Sequence, residues 1–193
     1  MVEVETAGLV LAAGAGRRFG MPKALVAYPR RLLVQRAADT LREAGCAPTV
    51  VVLGAQAERV REAAPDLPQT VINPDWESGL GSSLRVGLEA LAGTAATAAV
   101  VLLVDMPDVT PEAVRRVAAL AAPGVLAIGG YGDRRGHPVL LGRDHWAGVA
   151  GSATGDRGAR DYLRAHPDLV QVVPVGDVAG DRDLDYPEPA AHA

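Results

Sequence analysis

Residues 11–23 combine glycines and cationic side chains in a pattern suited to binding phosphate. Glycine lets backbone N–H groups approach phosphate oxygens closely, and a turn of successive N–H groups forms an anion-binding nest. Arg17, Arg18 and Lys23 add the positive charge that neutralises a triphosphate. The alternative is a glycine-rich turn with solvated arginines. Because the segment directly follows an apolar, strand-like run, its composition favours a nucleotide phosphate loop.

The spacing of the glycines and the lysine excludes two other phosphate loops. A dinucleotide fingerprint requires Gly-x-Gly-x-x-Gly, and Gly20 comes one residue too late after Gly14 and Gly16. A P-loop requires Ser or Thr after its lysine, whereas Lys23 precedes Ala24. A dehydrogenase with the first motif is therefore disfavoured, as is an NTPase with the second.

Asp105 ends the apolar run 98–104 and is the strongest candidate for a metal ligand. A carboxylate at the end of a buried strand is costly unless it faces a cation or a cleft. Mg²⁺ prefers carboxylate oxygens together with phosphate oxygens of a ligand. The alternative is a loop acid that caps a turn, since Asp108 and Thr110 are close in sequence. We predict that Asp105 holds Mg²⁺.

A further glycine- and serine-rich loop, residues 73–84, leads into a predicted helix. Small residues and hydroxyls at a helix N-terminus can contact a base edge or a phosphate, which makes Gly81 and Ser82 candidate nucleotide contacts. The alternative is that Ser82 or Ser83 only caps the helix. His145, His166 and His192 share no metal-ligand spacing, so we interpret them as surface residues.

Alternating strands and helices must position these segments. Apolar, β-branched runs predict strands at 8–11, 49–53, 69–72, 98–104, 125–128, 138–141 and 170–175. Helical periodicity predicts helices at 32–44, 57–63, 82–91 and 111–121. Thr110 and Pro111 form a good helix start, as N-cap and first-turn residue. This alternation predicts a three-layer α/β/α sandwich with a mostly parallel, Rossmann-like sheet, in which ligands bind beyond the carboxyl ends of the strands.

Length and composition predict one domain over residues 1–193, with a frayed tail at 187–193. The net charge of −4 and the scattered basic residues argue against binding of a nucleic-acid polymer. The single cysteine, Cys46, excludes an internal disulfide and is expected to be an inert core residue. No signal peptide and no membrane span are recognisable, so we expect a cytoplasmic protein without membrane contact.

On these segments the chain resembles the MobA-like nucleotidyltransferases, the family of the molybdenum cofactor cytidylyl- and guanylyltransferases. Residues 11–23 resemble the family's signature loop, and residues 105–107 are similar to its metal-binding aspartate motif. Residues 135–138 and 155–160 look like the cytidylyltransferase branch. The resemblance implies the fold of the nucleotide-diphospho-sugar transferases over nearly the whole chain.

The resemblance also implies roles for individual residues. It implies Arg17, Lys23 and Asp105 as catalytic residues, and Asp105 and Asp185 as the metal ligands. The implied nucleotide-binding residues are Leu11, Ala12, Ala13, Gly14, Gly16, Arg17, Lys23, Gly81, Ser82 and Asp105. The implied acceptor-binding residues are His137, Arg157 and Arg160. The residues alone leave three alternatives open: an acidic tail for Asp185, a turn for His137, and a mobile surface loop for the segment with Arg157 and Arg160.

Two segments depart from the family pattern. The family usually has Thr and Asp where this chain has Tyr186 and Pro189, which affects the segment that carries Asp185. After Lys23 the family tends to have a glycine-containing turn, whereas this chain has Tyr-Pro-Arg-Arg at residues 28–31. The second departure concerns the local loop geometry and leaves the phosphate chemistry unchanged.

The implied activity is Mg²⁺-dependent transfer of CMP from CTP to the terminal phosphate of molybdopterin, with release of pyrophosphate. Ala13 supports cytidine, because in this family Leu-Ala-Ala-Gly accompanies cytidine nucleotides and Leu-Ala-Gly-Gly accompanies guanine. A molybdoenzyme is an implied partner. The alternatives are a cytidylyl- or uridylyltransferase for a sugar or isoprenoid-precursor phosphate, and a non-catalytic nucleotide-binding chaperone of a molybdoenzyme, which would not need Asp105.

Overall fold

The structure is a computed structural model that describes residues 5–185, so the predicted frayed tail at 187–193 lies outside it. Seven of the strands in this part of the chain form one sheet and two form a short hairpin. The strands are β1 (Thr6–Ala12), β2 (Ala27–Tyr28), β3 (Arg31–Leu32), β4 (Thr49–Leu53), β5 (Gln69–Ile72), β6 (Ala98–Leu103), β7 (Leu126–Tyr131), β8 (Arg134–Gly142) and β9 (Val170–Pro174).

The four predicted helices are present, and two more follow the β7–β8 hairpin. The helices are α1 (Leu33–Glu43), α2 (Ala57–Ala63), α3 (Leu80–Ala92), α4 (Pro111–Ala118), α5 (Trp146–Ser152) and α6 (Arg160–Ala165). Helices α5 and α6 were not predicted, because α5 is glycine-rich and α6 has only six residues. Short 3-10 helices lie at Lys23–Leu25, Trp76–Ser78, Arg143–His145, Gly155–Arg157 and Pro167–Leu169.

The sheet has the strand order β5-β4-β1-β6-β8-β7-β9, with β8 antiparallel to both of its neighbours and every other pairing parallel. Strand β1 lies in its interior beside the central strand β6, and Leu11 pairs with Val52 on one side and Leu103 on the other. A parallel strand that is covered on both faces has a continuous run of apolar, mostly β-branched residues in its sequence. Strand β4 is such a strand, because all five of its residues are buried. The predicted three-layer, mostly parallel α/β fold is confirmed.

Helices cover both faces of the sheet and form two core layers. On one face α1, α2 and α4 pack on residues such as Val10 and Val51. On the other face α3, α5 and α6 pack on the alternate residues, such as Leu9 and Leu11. No helix among residues 5–185 is both long and apolar enough to cross a membrane.

Because β8 is antiparallel, it places the residues at its start, and not those at its end, beside the carboxyl ends of the parallel strands. The predicted strands at 125–128 and 138–141 are the apolar halves of a longer hairpin. Its polar half, which includes Arg135 and His137, was not predicted because it carries no apolar period. Since β8 runs opposite to β6, the start of β8 lies at the carboxyl end of β6. Arg135 and His137 are therefore brought toward the edge that ends in Asp105.

The segment after the phosphate loop forms a two-strand hairpin instead of the glycine-containing turn usual in the family. Ala27 pairs with Leu32 and Tyr28 pairs with Arg31. The Arg36 guanidinium lies 5.6 Å from the centre of the Tyr28 ring. The hairpin leads directly into α1, so the departure is confined to this short connection.

The C-terminal segment, residues 175–185, runs back across the loop that follows β6. The N–H of Leu184 donates to the Asp105 carbonyl at 2.9 Å, and the N–H of Gly180 donates to the Asp108 carbonyl at 3.0 Å. Thr110, the predicted N-cap of α4, accepts from the N–H of Ala113 at 3.2 Å and donates to the Val178 carbonyl at 2.9 Å. One hydroxyl thus stabilises both the helix start and the C-terminal segment.

We expect Thr110→Ala to lower the free energy of unfolding by about 1–2 kcal/mol, since it removes an N-cap and a bond to the C-terminal segment. Urea unfolding followed by circular dichroism measures the change. Thr110→Ser keeps the hydroxyl and serves as the matched control. An unchanged denaturation midpoint in Thr110→Ala would contradict this role.

Candidate functional site

A cavity of about 660 Å³, lined by glycines, apolar residues and several charged side chains, opens at the carboxyl ends of β1 and β6. It brings together the phosphate loop, the predicted metal ligands and part of the loop before α3. Its lining includes Leu11, Ala13, Gly14, Gly16, Arg17, Arg18, Lys23, Trp76, Glu77, Gly79, Ser83, Asp105, Asp183 and Asp185. We call it the nucleotide cavity, because most of the residues predicted to contact the nucleotide line it.

The phosphate loop is held in shape by a tight turn at Gly16. Its carbonyl accepts the N–H groups of Phe19 and Gly20, both at 2.9 Å. Gly16 has a φ of 62°, and a Cβ built there would lie 1.9 Å from the carbonyl oxygen of Met21. Only glycine fits at this position. The turn leaves the exposed Arg17 on the wall of the nucleotide cavity.

Lys23 connects the two predicted metal ligands. Its Nζ donates to Asp105 Oδ2 at 2.7 Å and to Asp185 Oδ1 at 3.2 Å. Burial acts to lower the pKa of Lys23, but hydrogen bonds and attraction from the two carboxylates outweigh it, and the net pKa is raised. The ammonium therefore stays charged, and the two carboxylates converge on one cation.

Asp183 is a third acid of this cavity that the sequence analysis missed. Burial raises its pKa, and repulsion from Asp105 and Asp185 adds to the effect. It lies in the acid-rich late segment, which was the available signal. Within residues 5–185 the structure contains no group of three or more His, Cys, Asp or Glu side chains arranged to hold a metal ion on their own.

The loop before α3 presents a different hydroxyl from the one predicted. Ser82 is buried, and its Oγ donates to the carbonyls of Asp75 and Gly79 and accepts from Asn73. The lining of the nucleotide cavity contains the neighbouring Ser83, which is also buried and accepts from Asn73 at 3.0 Å. Neither serine caps α3, which begins at Leu80 without a side-chain cap.

Two other predicted nucleotide contacts do not line the cavity. Ala12 faces the opposite side of the sheet, among the side chains under α1. Gly81 packs against the 153–158 loop, where a Cβ would lie 2.7 Å from the Ala153 carbonyl carbon.

A second cavity, of about 600 Å³, adjoins the first and collects the predicted acceptor residues. His137, Arg157 and Arg160 all line it, although they come from β8, the 153–158 loop and α6. We call it the aliphatic cavity, because its remaining walls are largely Leu, Val and Ile. The two cavities share the wall residues Leu11, Leu80, Leu103 and Asp156.

His137 is a neutral group in the wall of the aliphatic cavity. Burial lowers its pKa to about 4; the charge of Asp105 opposes the shift and the charge of Arg160 adds to it. The carbonyl of His137 accepts a hydrogen bond from the Tyr131 hydroxyl at 2.5 Å. Near neutral pH His137 therefore offers hydrogen bonds without charge, and the arginines supply the positive charge of this cavity.

The remaining candidates stand apart from both cavities. Cys46 is buried, which raises its pKa to about 11, so the expected inert thiol is confirmed. His145 and His166 are half-buried around Tyr162, rather than free on the surface. His145 Nδ1 shares a 2.9 Å hydrogen bond with the Tyr162 hydroxyl. His192 lies outside the described residues.

Comparison with known proteins identifies the family. A sequence profile of the MobA-like NTP transferase domain matches residues 8–170, which include the phosphate loop and Asp105 but not Asp183 and Asp185. The chain belongs to this family. It is a MobA-like nucleotidyltransferase with a Rossmann-like α/β fold, in agreement with the resemblance in the sequence.

Individual relatives carry different names. Nicotine blue oxidoreductase of Paenarthrobacter nicotinovorans is 40% identical over 190 residues, which cover 94% of this chain and 92% of that protein. Molybdenum cofactor guanylyltransferase of Rhodobacter capsulatus is 34% identical over 149 residues, which cover 72% of this chain and 65% of that protein.

Solved structures resemble the chain over almost its full length. Rv0371c of Mycobacterium tuberculosis H37Rv has a TM-score of 0.82 at 33% identity, covering 95% of this chain and 94% of that one. A complex of Rv0371c with manganese has a TM-score of 0.77 at 31% identity, covering 93% and 94%.

We expect the neutral state of His137 to make the protein acid-sensitive. Its pKa is about 4 in the folded protein and about 6.5 in an unfolded chain. The unfolded state therefore binds more protons between these values, and the free energy of unfolding falls as the pH drops from about 6.5 to 4. His137→Gln should flatten this decline in urea unfolding at a series of pH values. Parallel pH profiles for the two proteins would contradict the assignment.

Proposed function

We propose that this protein transfers CMP from CTP to the terminal phosphate of molybdopterin and releases pyrophosphate. The observation that carries the proposal is the convergence of Asp105 and Asp185 on Lys23, beside the phosphate loop and next to a second, aliphatic cavity. One cavity suits a triphosphate with its metal, and the other suits a flat acceptor.

The residues present fit a divalent cation. Asp105 and Asp185 direct carboxylate oxygens at one point where the Lys23 ammonium now provides the positive charge. Carboxylate oxygens completed by phosphate oxygens are the ligand set that Mg²⁺ prefers. The manganese complex of the mycobacterial relative supports divalent metal use. When bound, Mg²⁺ would neutralise charge on the α-phosphate and the leaving pyrophosphate.

Lys23 and Arg17 would supply the remaining positive charge. An ammonium group has three N–H donors, and two of those on Lys23 reach Asp105 and Asp185. The third is available to a phosphate oxygen. Arg17 lies on the same wall, where its guanidinium can form paired hydrogen bonds to phosphate. Such preset charges lower the barrier by stabilising the charge that develops on the transferred phosphate.

The reaction is an in-line displacement that needs no general base. An anionic oxygen of the acceptor phosphate attacks the α-phosphorus of CTP, and the bond to the bridging α–β oxygen breaks. That oxygen leaves with the electron pair as part of pyrophosphate. The wall residues shared by the two cavities, such as Leu103 and Leu80, mark the junction across which the acceptor phosphate would reach CTP. The chain's contribution is positioning and charge neutralisation.

The choice of CTP rests on Ala13, because the Leu-Ala-Ala-Gly run at residues 11–14 resembles the cytidine branch of the family. Ala13 lines the nucleotide cavity. The name of the Rhodobacter relative supports a molybdenum cofactor acceptor, while guanine is the base that this relative's name specifies.

A reductase is the second candidate, favoured by the relative named nicotine blue oxidoreductase. A reductase needs an electron or hydride donor, and the one thiol of this chain, Cys46, is buried. The donor would therefore be a bound cofactor, with its phosphates on the phosphate loop and the oxidised substrate in the aliphatic cavity. This candidate does not require Asp185 to meet Asp105, so a metal requirement separates the two functions.

Thermal unfolding with CTP, GTP, UTP, ATP or NADPH, each with and without Mg²⁺, tests the proposal. We expect a Mg²⁺-dependent stabilisation by CTP, of about 2.7 kcal/mol at 100 times its Kd. Stabilisation by GTP alone would show that the donor nucleotide is GTP and not CTP. Stabilisation by NADPH without Mg²⁺, and none by any triphosphate, would favour the reductase and overturn the transferase.

We expect Lys23→Ala and Asp105→Ala each to reduce turnover at least about 10²-fold, as in the loss of a transition-state electrostatic contact. Pyrophosphate release from CTP in the presence of molybdopterin provides the measurement. Asp144→Ala, at an exposed acid outside both cavities, is the matched control. Near-wild-type turnover in Lys23→Ala or Asp105→Ala would contradict the proposed catalytic site.

A further inference from the structure

Asn73 follows β5 and is buried, and its amide connects three groups at the start of α3. Its Oδ1 accepts from the N–H of Asp75 at 3.0 Å. Its Nδ2 donates to Ser82 Oγ at 2.8 Å and to Ser83 Oγ at 3.0 Å. Because only the amide oxygen can accept from the Asp75 N–H, the orientation of the amide is fixed. Both serine hydroxyls therefore act as acceptors toward Asn73.

The two hydroxyls differ in where their own hydrogen goes. Ser82 Oγ donates within the loop, to the carbonyls of Gly79 at 2.8 Å and Asp75 at 3.0 Å. A helical serine often donates to the carbonyl four residues earlier, and for Ser83 that carbonyl is again Gly79. The Gly79 carbonyl already accepts from the Ser82 hydroxyl and from the Ser82 N–H, the latter at 3.2 Å. Within residues 5–185, the Ser83 hydroxyl accepts one hydrogen bond and donates none.

Ser83 offers this unused donor at the nucleotide cavity. It lines the cavity although only 3% of the residue is exposed to solvent. A buried hydroxyl whose hydrogen has no acceptor is unfavourable, and a ligand that supplies an acceptor removes that cost. The ligand atom that meets Ser83 is therefore a hydrogen-bond acceptor.

Ser83 lies at the end of the nucleotide cavity that suits an uncharged part of the ligand. The cations of the lining all come from the phosphate loop, and they are Arg17, Arg18 and Lys23. The lining residues from the loop before α3 and its first turn are Trp76, Glu77, Gly79, Leu80 and Ser83, none of them cationic. A triphosphate belongs at the cationic end, which leaves the other end for the base.

The same end includes Ala13, the residue on which the choice of base rests. A Cβ built on Gly54 would lie 2.6 Å from Trp76 Cβ and 2.7 Å from the Ala13 carbonyl oxygen. Trp76 and Ala13 thus lie side by side around Gly54, and both line the nucleotide cavity. The loop that carries Ser83 and the strand end that carries Ala13 form one wall.

We infer that Asn73 is a positioning residue for the nucleotide: it orients Ser83 so that the hydroxyl donates a hydrogen bond to the acceptor edge of the base, which in cytosine carries N3 and O2. The inference rests on the proposed function for the identity of the ligand as a nucleotide. Recognition of the base then uses a neutral, buried donor, whereas the phosphate loop supplies charge to the phosphates.

A double-mutant cycle on CTP binding tests the positioning role without any turnover. Isothermal titration with CTP and Mg²⁺ should show Ser83→Ala binding about tenfold more weakly than wild type, a difference of about 1.4 kcal/mol. Asn73→Asp puts a carboxylate that only accepts in place of the donor amide, so the Ser83 hydrogen turns toward position 73 and away from the base. Asn73→Asp should therefore also weaken binding at least about tenfold.

The combination of the two substitutions is the decisive measurement. In the Ser83→Ala background, Asn73→Asp should weaken CTP binding less than about threefold, because Asn73 acts on the base only through Ser83. Where the buried carboxylate prevents folding, as judged by circular dichroism, Asn73→Ala takes its place in the cycle. Ser152→Ala, in α5 and outside both cavities, is the matched control and should leave the affinity unchanged.

Steady-state kinetics separate a contact to the base from a general loss of structure. A contact that is equally strong in the ground state and the transition state affects KM and not kcat. Ser83→Ala should therefore raise the KM for CTP about tenfold and keep kcat within about twofold of wild type. A distorted loop would lower kcat as well.

Unchanged CTP affinity in Ser83→Ala, or independent effects of the two substitutions, would overturn the inference. If CMP transfer is still observed in that case, the proposed function stands while the inference fails. If CTP binds and the two substitutions are coupled but no CMP reaches molybdopterin, the proposed function fails while the role of Asn73 stands. Absence of CTP binding to the wild-type protein would overturn both.

Discussion

The contact of Lys23 with Asp105 and Asp185 joins three parts of the chain that are remote in sequence. The lysine ends the phosphate loop, Asp105 lies in the turn after the central strand β6, and Asp185 lies in the C-terminal segment. Like charges brought this close repel, and this repulsion adds to the larger effect of burial in raising the pKa of Asp183. A cation at this point is therefore a condition for the C-terminal segment to lie across the loop after β6. The same requirement makes the place suitable for a metal and a triphosphate.

The reversed direction of β8 determines how the two cavities meet. Each parallel strand brings only its carboxyl end to the binding edge, whereas β8 brings its start there. His137 therefore lies near Asp105, while the rest of β8 contributes Val139 to the lining of the aliphatic cavity. Burial keeps the imidazole neutral, so positive charge in this cavity comes from arginines on α6 and the 153–158 loop. A nucleotide and an acceptor can thus approach one another across a shared wall.

Much of this arrangement follows from local patterns. The strand β4 is a run of buried β-branched residues, and Thr110-Pro111 marks the start of α4, so both were predicted correctly. Prediction was weaker where polar residues lie on regular structure, as in the first half of β8, or where a helix is short, as in α5. The prediction also named Ser82 where the lining of the nucleotide cavity contains Ser83. Adjacent serines look alike in sequence, and the packing of α3 decides which of them lies at the cavity.

The sequence alone determined the phosphate loop, the acid after β6 and the main alternation of strands and helices, because glycine spacing, charge and hydrophobic period are local properties. Only the tertiary structure decided that Asp185 reaches Lys23 across 162 positions, and that Arg160 lines the same cavity as His137. These contacts depend on strand order and on the antiparallel β8. Strand order and strand direction leave no pattern in any short stretch of sequence, because they result from burying both faces of the whole sheet.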